Sequence, residues 1–127
     1  MYKEILIIIV VIILVVSLDI ISGNYTKASV EKLTNELDLL RIEILEENKE
    51  TSKNKMEEIK KIWKEKYKLL AYYIEHDELE KVETELTRLE ANIEVKEYKH
   101  CIEEIDATIF ILKHIQQKEK LDIKSIF

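Results

Sequence analysis

The chain has 127 residues, of which 36% are charged and 46% hydrophobic, and its formal net charge is −6. Its single glycine, Gly23, excludes phosphate-binding loops, dinucleotide fingerprints and nucleophile elbows, which need positive φ angles and close backbone approach. The acidic balance argues against a nucleic-acid partner, which would need a basic face. The single cysteine, Cys101, excludes an internal disulfide and a zinc cluster.

The N-terminal segment is the most apolar part of the chain. Residues 5–16 are an unbroken run of Ile, Val and Leu, which continues to Ile21 with interruptions at Ser17 and Asp19. The 17 residues from Ile5 to Ile21 give a helix of about 26 Å, which is at the short end for a hydrocarbon core of about 30 Å. The sequence therefore predicts a membrane anchor over residues 1–23, with residues 5–21 in contact with lipid.

Two other interpretations of this segment are a cleaved signal peptide and a buried helix of a soluble protein. Lys3 before the apolar run suits a signal peptide, but the residues around Ser17 and Ser22 fit a cleavage site poorly. A run of β-branched residues without a polar face is unusual for a soluble helix. An uncleaved anchor is therefore favoured, although the few flanking charges do not decide its orientation.

Residues 24–127 are predicted to form one small helical domain, in which apolar spacing indicates four helical segments. A polar run over residues 47–54 separates the first two, with Thr51 or Ser52 as the expected N-cap of the second. The first apolar stripe is Val30, Leu33, Leu37, Leu40 and Ile44. The second is Met56, Ile59, Trp63, Tyr67, Leu70 and Ile74, with the period of 3.6 typical of a globular amphipathic helix.

The third and fourth segments follow breaks at residues 75–77 and 94–97. Asp77 and Glu80 have the spacing of a capping box at the start of the third segment. Its apolar stripe is Leu79, Val82, Leu86, Leu89 and Ile93. The stripe of the fourth segment is Tyr98, Cys101 or Ile102, Ile105, Ile109, Leu112 and Ile115.

These elements predict an all-α fold, in which a single N-terminal transmembrane helix is followed by a small antiparallel bundle of about four helices. Short connections favour antiparallel neighbours. Residues 49–68 carry a net charge of +4 and residues 75–106 a net charge of −8, so a basic second helix beside acidic third and fourth helices would be complementary. Solvated faces explain the same distribution, since exposed ion pairs contribute little.

The chain offers few groups for catalysis or metal binding. Glu97 and His100 have half of the Glu-x-x-His spacing of a di-iron bundle, but a second such pair is missing and both residues are expected to face solvent. His114 lies near the end of the fourth segment, where a cation suits the helix dipole. We predict no enzymatic activity, no cofactor and no metal site.

Partner binding is the remaining role for several aromatic and apolar residues. Trp63 lies on an apolar stripe, so core packing is the simplest interpretation, and His76 at a helix junction is expected to be structural. Tyr72 and Tyr73 cannot both face inward, so one of them is expected at a partner surface or a membrane interface. The terminal pair is either a plug in the bundle or a docking tail. The candidate partner-binding residues are Trp63, Tyr72, Tyr73, His76, Ile126 and Phe127.

Together these features resemble one family. The anchor, Trp63, the Ile-x-His-x-Glu-Leu junction at residues 74–79 and the terminal Ile-Phe are similar to small membrane-anchored proteins of Gram-positive bacteria, catalogued as domain of unknown function 4363. Ser125 stands where that family usually has asparagine. The resemblance implies an all-helical body outside the cytoplasm, no known enzymatic activity, and a small integral membrane protein as a partner.

The sequence therefore predicts a single-pass cell-membrane protein that serves as a non-enzymatic accessory or structural subunit of a membrane or envelope complex. The first alternative is a self-associating envelope coiled coil, similar to small divisome or phage spanin proteins, with the stripe from Val30 to Ile44 as its seam. The second is a module that senses a ligand, a metal or pH through His76 and His100. The oligomeric state stays open.

Overall fold

A computed structural model describes the backbone of residues 1–126 and the side chains of residues 1–121. This part of the chain folds into four helices without strands, which confirms the predicted all-α class. The helices are α1 (Tyr2–Leu45), α2 (Lys49–Leu70), α3 (His76–Glu94) and α4 (Tyr98–Ile126).

Helix α1 joins the apolar segment to the bundle without a break. Its 44 residues pass through Gly23, so the anchor and the first segment of the bundle, read separately from the sequence, form one helix. None of the side chains of residues 5–21 is fully buried, although Val16 and Asp19 are half-buried, and Asp19 and Ile20 line a groove with Glu119 and Lys120 of α4. By length and composition, α1 is the one helix in the described chain that could cross a membrane.

The remaining part of α1 packs with α2, α3 and α4 into an up-and-down bundle. Helix α1 contacts α2 and α4, and α3 contacts the same two helices. Lys66 of α2 lies over the ring of Tyr25 near the start of the bundle, whereas Lys55 pairs with Glu36 further along α1, so α1 and α2 are antiparallel. Every connection is short, which is the condition under which sequential helices pack as antiparallel neighbours.

The core contains the four apolar stripes read from the sequence. Leu37, Leu40, Ile59, Leu89 and Ile105 have no measurable exposure. Because each helix places one stripe in the same cluster, the bundle buries its apolar side chains within a single chain. The predicted stripes are thereby confirmed as core faces, including that of α1.

Small polar residues fill positions in the core that apolar spacing did not reveal. Ser29, Ser52 and Thr108 are completely buried. The Thr108 hydroxyl donates to the carbonyl of Glu104, one turn earlier on α4, at 2.7 Å, so its polar group is satisfied inside its own helix. Cys101, rather than Ile102, is the fully buried residue at the start of the α4 stripe.

The turn between α1 and α2 corrects the predicted cap. The amide of Asn48 donates to the carbonyl of Glu43 and that of Glu47 to Ile44, the paired bonds that characterise a Schellman motif. The Asn48 side chain then caps α2 by accepting from the Thr51 amide at 3.2 Å. The expectation that Thr51 or Ser52 caps α2 is therefore wrong, because the helix begins at Lys49 and already contains most of the polar run.

The start of α3 also differs from the sequence-based expectation. The carbonyl of Glu75 accepts from the amides of Glu78 and Leu79, so α3 begins at His76. Asp77 consequently lies inside the first turn, and the Asp77–Glu80 capping box is not formed; Glu75 at the N-cap makes no side-chain capping bond. Acidic Asp77 and Glu78 still suit the positive end of the helix dipole.

A second Schellman motif closes α3, where Glu97 donates to Asn92 and Lys96 to Ile93. Lys96 has a φ of 61° and Glu47, at the equivalent position after α1, has a φ of 55°. The left-handed conformation costs a residue with a Cβ about 1 kcal/mol or more, and glycine adopts it without that cost. Both turns therefore carry local backbone strain.

Replacing Glu47 or Lys96 by glycine is expected to stabilise the bundle by about 0.5–1 kcal/mol each, because the steric cost of the positive φ is removed. Urea denaturation of the full chain in detergent micelles, followed by helical ellipticity, measures this change. Glu46→Gly is the matched control, since Glu46 has a φ of −79° and should lose stability instead. Destabilisation by Glu47→Gly would contradict the assigned conformation.

Candidate functional site

Three of the predicted partner-binding residues come together at one end of the bundle. The connection between α2 and α3 carries Tyr72 and Tyr73, and His76 begins α3. Because α2 runs antiparallel to α1, this connection lies beside the part of α1 that follows the apolar segment. We call this end of the bundle the proximal end and the opposite end, with the turns after α1 and α3, the distal end.

Tyr73 joins the α2–α3 connection to α1 through hydrogen bonds of its hydroxyl group. Its hydroxyl donates to the carbonyl of Ser22 at 3.2 Å and lies 2.8 Å from the hydroxyl oxygen of Thr26, which is buried. Burial raises the pKa of the Tyr73 phenol, against a smaller opposing effect of the Thr26 hydrogen bond. The phenol therefore keeps its proton at neutral pH and can donate to the carbonyl while accepting from Thr26.

Tyr72 and His76 point away from the bundle. The Tyr72 side chain is 86% exposed, and Leu69, in the last turn of α2, is 51% exposed. His76 is also exposed. The two adjacent tyrosines thus have different environments: Tyr73 packs against α1 and Tyr72 extends outward with Leu69.

Trp63 does not belong to this group. It is only 6% exposed, and its ring packs edge-on against Tyr67 with the centroids 5.9 Å apart. The indole N–H donates to a carboxylate oxygen of Glu83 on α3 at 3.3 Å. Trp63 therefore joins α2 to α3 as a core residue with a satisfied polar group.

A groove of about 320 Å³ runs along the surface between α2 and α3 above Trp63. Lysines line its α2 side and glutamates its α3 side, and Lys60 pairs with Glu90 at 2.6 Å. Glu94 accepts from Lys53 at 3.2 Å and from Lys49 at 3.5 Å. Basic α2 thus pairs with acidic α3, whereas α4 lies diagonally across the bundle and is not a neighbour of α2 in the described chain.

The least exposed ion pair joins α1 to α2. Lys55 donates to the Glu36 carboxylate, and their side chains are only 19% and 12% exposed. The bond from Lys55, with help from Lys32 and against the effect of burial, lowers the pKa of Glu36. The bond to Glu36, with a smaller one to Glu58 and also against burial, raises the pKa of Lys55.

The Lys55–Glu36 pair should stabilise the bundle over a pH range that is set by the shifts of the two pKa values. The lowered pKa of Glu36 gives stability that is present above its unfolded value and is lost as pH falls through the folded value. The raised pKa of Lys55 gives stability that is lost only as pH rises through its folded value. The full effect is thus expected from about pH 5 to about pH 10.

We expect Glu36→Gln to lower the free energy of unfolding by about 1–2 kcal/mol at neutral pH, because a charge-assisted hydrogen bond is lost. The difference from the unmodified chain should shrink as pH falls below the unfolded pKa of the carboxyl and Glu36 becomes protonated. Urea unfolding across this pH range tests both points. Glu58→Gln is the control, since Glu58 is 64% exposed; an equal loss there would contradict the assignment.

The side chains that could take part in catalysis or metal binding lie apart from one another. Cys101 is buried, and burial raises the pKa of its thiol to about 11, which keeps it in the unreactive thiol form. His100 on α4 and Glu97 just before that helix are exposed, and His100 lies 3.4 Å from Glu103. Within the described residues, no three His, Cys, Asp or Glu side chains could hold one metal ion. The absence of an enzymatic activity stays a prediction.

The sequence-based reading missed a second exposed apolar surface, on the outer face of α1 at the distal end. Leu39, Ile42 and Leu45 follow one another at intervals of three residues and are 48–67% exposed. Their positions off the buried stripe are visible in the sequence and could have revealed them. Phe110 on α4 is a further exposed residue of this kind, at 72%.

The last two candidate residues cannot be placed. Phe127 lies outside the described residues, and the structure describes only the backbone of Ile126, at the end of α4. Their assignment as a plug or a docking tail stays a prediction. The backbone does establish that α4 continues to Ile126 and so extends toward the proximal end.

The described chain is an all-α protein: a four-helix bundle whose first helix extends into an exposed apolar segment that is long enough to cross a membrane. Its sequence matches, over residues 20–126, the family described as domain of unknown function DUF4363. The match covers the bundle, and the chain belongs to this family. No curated protein and no solved structure matches the chain.

Proposed function

We propose that the chain is a single-pass membrane protein whose bundle is a non-enzymatic accessory or structural subunit of a membrane or envelope complex. The observation that carries this proposal is the exposure of most of the apolar segment. Residues 5–21 are continuous with α1, residues 5–15 are exposed throughout, and only the last turns of the segment, at Val16 and Asp19, are partly covered. Twelve successive apolar side chains left in water would be strongly unfavourable, so lipid and a neighbouring membrane protein are the proposed covering.

The surface of the bundle supports a binding role over a catalytic one. Its thiol is buried and its three histidines are exposed and separated along the chain. Leu39, Ile42 and Leu45 supply an exposed apolar stripe instead. An exposed apolar patch with charged residues around it is typical of a protein-binding surface.

The test is purification of the tagged full chain from its native membrane in mild detergent, with mass determination of the complex and identification of its components. We expect a second integral membrane protein in fixed ratio. The matched control is Ile42→Glu, which should reduce that ratio while the bundle stays folded, because Ile42 is 52% exposed. A monodisperse monomer without a membrane partner would contradict the proposal.

The orientation of the bundle outside the cytoplasm is also part of the proposal, because the family resemblance implies it. Cys101 cannot report on orientation, since it is buried. Val95→Cys introduces a thiol at a position that is 64% exposed. In intact cells this variant should react with a membrane-impermeant maleimide, and the unmodified chain should not. Reaction only after the cells are opened would place the bundle in the cytoplasm.

The structure gives less support to the alternative of a self-associating coiled coil. The stripe from Val30 to Ile44 was the expected seam, and Leu37, Leu40 and Ile44 on it are at most 1% exposed because they pack in the core of their own chain. A sensing role for His76 and His100 gains no support from their positions, since they lie at opposite ends of the bundle. Neither alternative is proposed further.

A further inference from the structure

A groove between α1 and α4 lies where the apolar segment joins the bundle. Residues between positions 19 and 27 of α1 line one wall, residues between positions 116 and 120 of α4 line the other, and the volume of the groove is about 310 Å³. This volume is at the lower limit for sites that bind small molecules. We call this feature the α1–α4 groove.

Helix α4 reaches the apolar segment because it runs antiparallel to α1. Tyr98 at the start of α4 donates to the carbonyl of Glu47, just after α1, at 3.2 Å, whereas Lys120 lines the groove together with Asp19. The helix continues beyond Lys120 to Ile126. Since both helices rise by about 1.5 Å per residue, the end of α4 lies near the level of Val16.

This course of α4 limits how deep the chain can lie in a bilayer. Residues 118–124 include five charged side chains, and charged groups are strongly disfavoured in the hydrocarbon core. A depth at which the core ends near Val16 keeps the end of α4 among the lipid headgroups. The helix from Tyr2 to Val16 then measures about 22 Å, a length that local thinning of the bilayer accommodates. At this depth the α1–α4 groove begins in the headgroup layer.

The groove brings together two cations and two carboxylates. Lys27 and Lys120 are exposed, and neither makes an ion pair with a described residue. Asp19 is half-buried, and its Oδ2 atom is buried without a hydrogen-bond donor among the described residues, while Glu119 lines the opposite wall. A buried carboxylate oxygen without a donor is destabilising, so a ligand N–H group at this point would be stabilising. Because the charges balance, a zwitterion suits the groove better than an anion or a cation.

Gly23 leaves space in the wall of the groove that α1 provides. It is the only glycine in the chain, and it does not have a positive φ. Glycine inside a helix lowers stability relative to alanine, so the helix geometry does not explain its presence. Because Gly23 has no Cβ, a ligand can approach the backbone of α1 closely, and the amide side chains of Asn24 and Gln116 line the same space.

We propose that the α1–α4 groove binds the headgroup of a phospholipid that carries a primary amine, as phosphatidylethanolamine does. Lys27 and Lys120 attract the phosphate, the ammonium group donates to the Oδ2 atom of Asp19, and the acyl chains follow the exposed apolar face of residues 5–16. This inference relies on the proposed anchor, because only an anchored chain brings the groove to the level of the headgroups. The occupant of the groove is a lipid and not a segment of a partner protein.

Native mass spectrometry of the full chain tests the inference. The protein is released from detergent micelles that contain equal amounts of phosphatidylethanolamine, phosphatidylcholine and phosphatidylglycerol with identical acyl chains. We expect phosphatidylethanolamine to be bound about 3- to 10-fold more than either competitor. The choline group has no N–H donor and the glycerol group no positive charge, so each competitor loses the charge-assisted hydrogen bond to Asp19. Equal binding of the three lipids would overturn the inference.

Two substitutions separate the two halves of the headgroup. Asp19→Asn should bring the ratio of bound phosphatidylethanolamine to phosphatidylcholine down to about one without reducing the binding of phosphatidylcholine. Lys120→Gln should reduce the binding of both lipids and leave their ratio unchanged, because both carry the phosphate. The controls are Glu4→Gln, at the far end of the apolar segment, and Lys99→Gln, near the start of α4, which should change neither quantity. An unchanged lipid ratio in Asp19→Asn would contradict the assignment.

A third variant fills the groove without removing a charge. Gly23→Leu introduces a large side chain that favours a helix, so the helical ellipticity of the protein should be kept while the binding of phosphatidylethanolamine falls at least several-fold. Full lipid binding by this variant would mean that the lipid lies elsewhere on the protein, and the inference would then be wrong.

Flotation with vesicles distinguishes a failure of this inference from a failure of the proposed function. The unmodified chain should float with vesicles of phosphatidylcholine alone, because the apolar segment does not need the amine for insertion. Flotation without any lipid preference would show that the headgroup site is wrong and that the anchor stands. Absence of flotation would remove the anchor and the proposed function with it. Loss of a co-purified membrane protein from Lys120→Gln, without a lipid preference, would assign the groove to that protein and overturn the inference.

Discussion

Leu40→Ala is expected to lower the free energy of unfolding by about 2–5 kcal/mol, because it removes a side chain that is fully buried and leaves a cavity in a close-packed core. The loss should be independent of protein concentration, since the cavity lies within one chain. Urea unfolding of the full chain in detergent micelles at two concentrations measures both properties.

Leu39→Ala is the matched control for this change. Leu39 is the preceding residue of the same helix and is 48% exposed, so the same chemical substitution should alter stability by no more than about 0.5 kcal/mol. Similar losses for the two variants, or a Leu40→Ala loss that disappears at high protein concentration, would mean that the α1 stripe packs between chains. That result would restore the coiled-coil alternative.

Trp63→Ala is expected to cost about 3–5 kcal/mol, since the indole fills the space between α2 and α3 and contacts Tyr67. Trp63→Phe should cost clearly less, because the phenyl ring retains most of the packing although it loses the hydrogen bond to Glu83. Thermal unfolding followed by far-ultraviolet ellipticity compares the two variants.

Tyr72→Ala provides the control for Trp63→Ala. Tyr72 is 86% exposed, and its removal should leave the stability of the bundle in detergent within about 0.5 kcal/mol. A Trp63→Ala variant as stable as Tyr72→Ala would contradict the core assignment and return Trp63 to the candidate partner-binding residues. The two aromatic residues are thus separated by stability alone, before any partner is known.

Much of the fold follows from periodicity. Leu33, Leu37 and Leu40 recur at helical spacing, and a helix buries such an apolar face by packing it against the apolar faces of other helices. The order of four antiparallel helices then follows from the short connections. For the same reason the positions of the exposed residues on α1, such as Ile42, were available in the sequence, although they were not recognised as a surface.

The helix boundaries were harder to predict from the sequence. They depend on backbone conformations that the residue type favours but does not fix. The Asn48 amide belongs to the Schellman motif that ends α1, and the Asn48 side chain caps the start of α2. Glu47 and Lys96 adopt positive φ without being glycine, so the usual glycine signal for a helix end was missing. In the sequence, Gly23 separates the apolar segment from the first bundle stripe. In the structure the helix is unbroken there, and Tyr73 contacts Ser22 before Gly23 and Thr26 after it.

The sequence by itself determined that the chain is helical, that one end is an apolar segment of membrane-spanning length, and which stripe of each helix is buried. These properties depend on composition and on the period of 3.6 residues, which are local. Only the tertiary structure decided that the Trp63 indole pairs with Glu83 on α3, that Tyr73 donates a hydrogen bond to Ser22, and that Tyr72 extends outward. Those outcomes depend on the register between helices distant in sequence, which local periodicity does not specify.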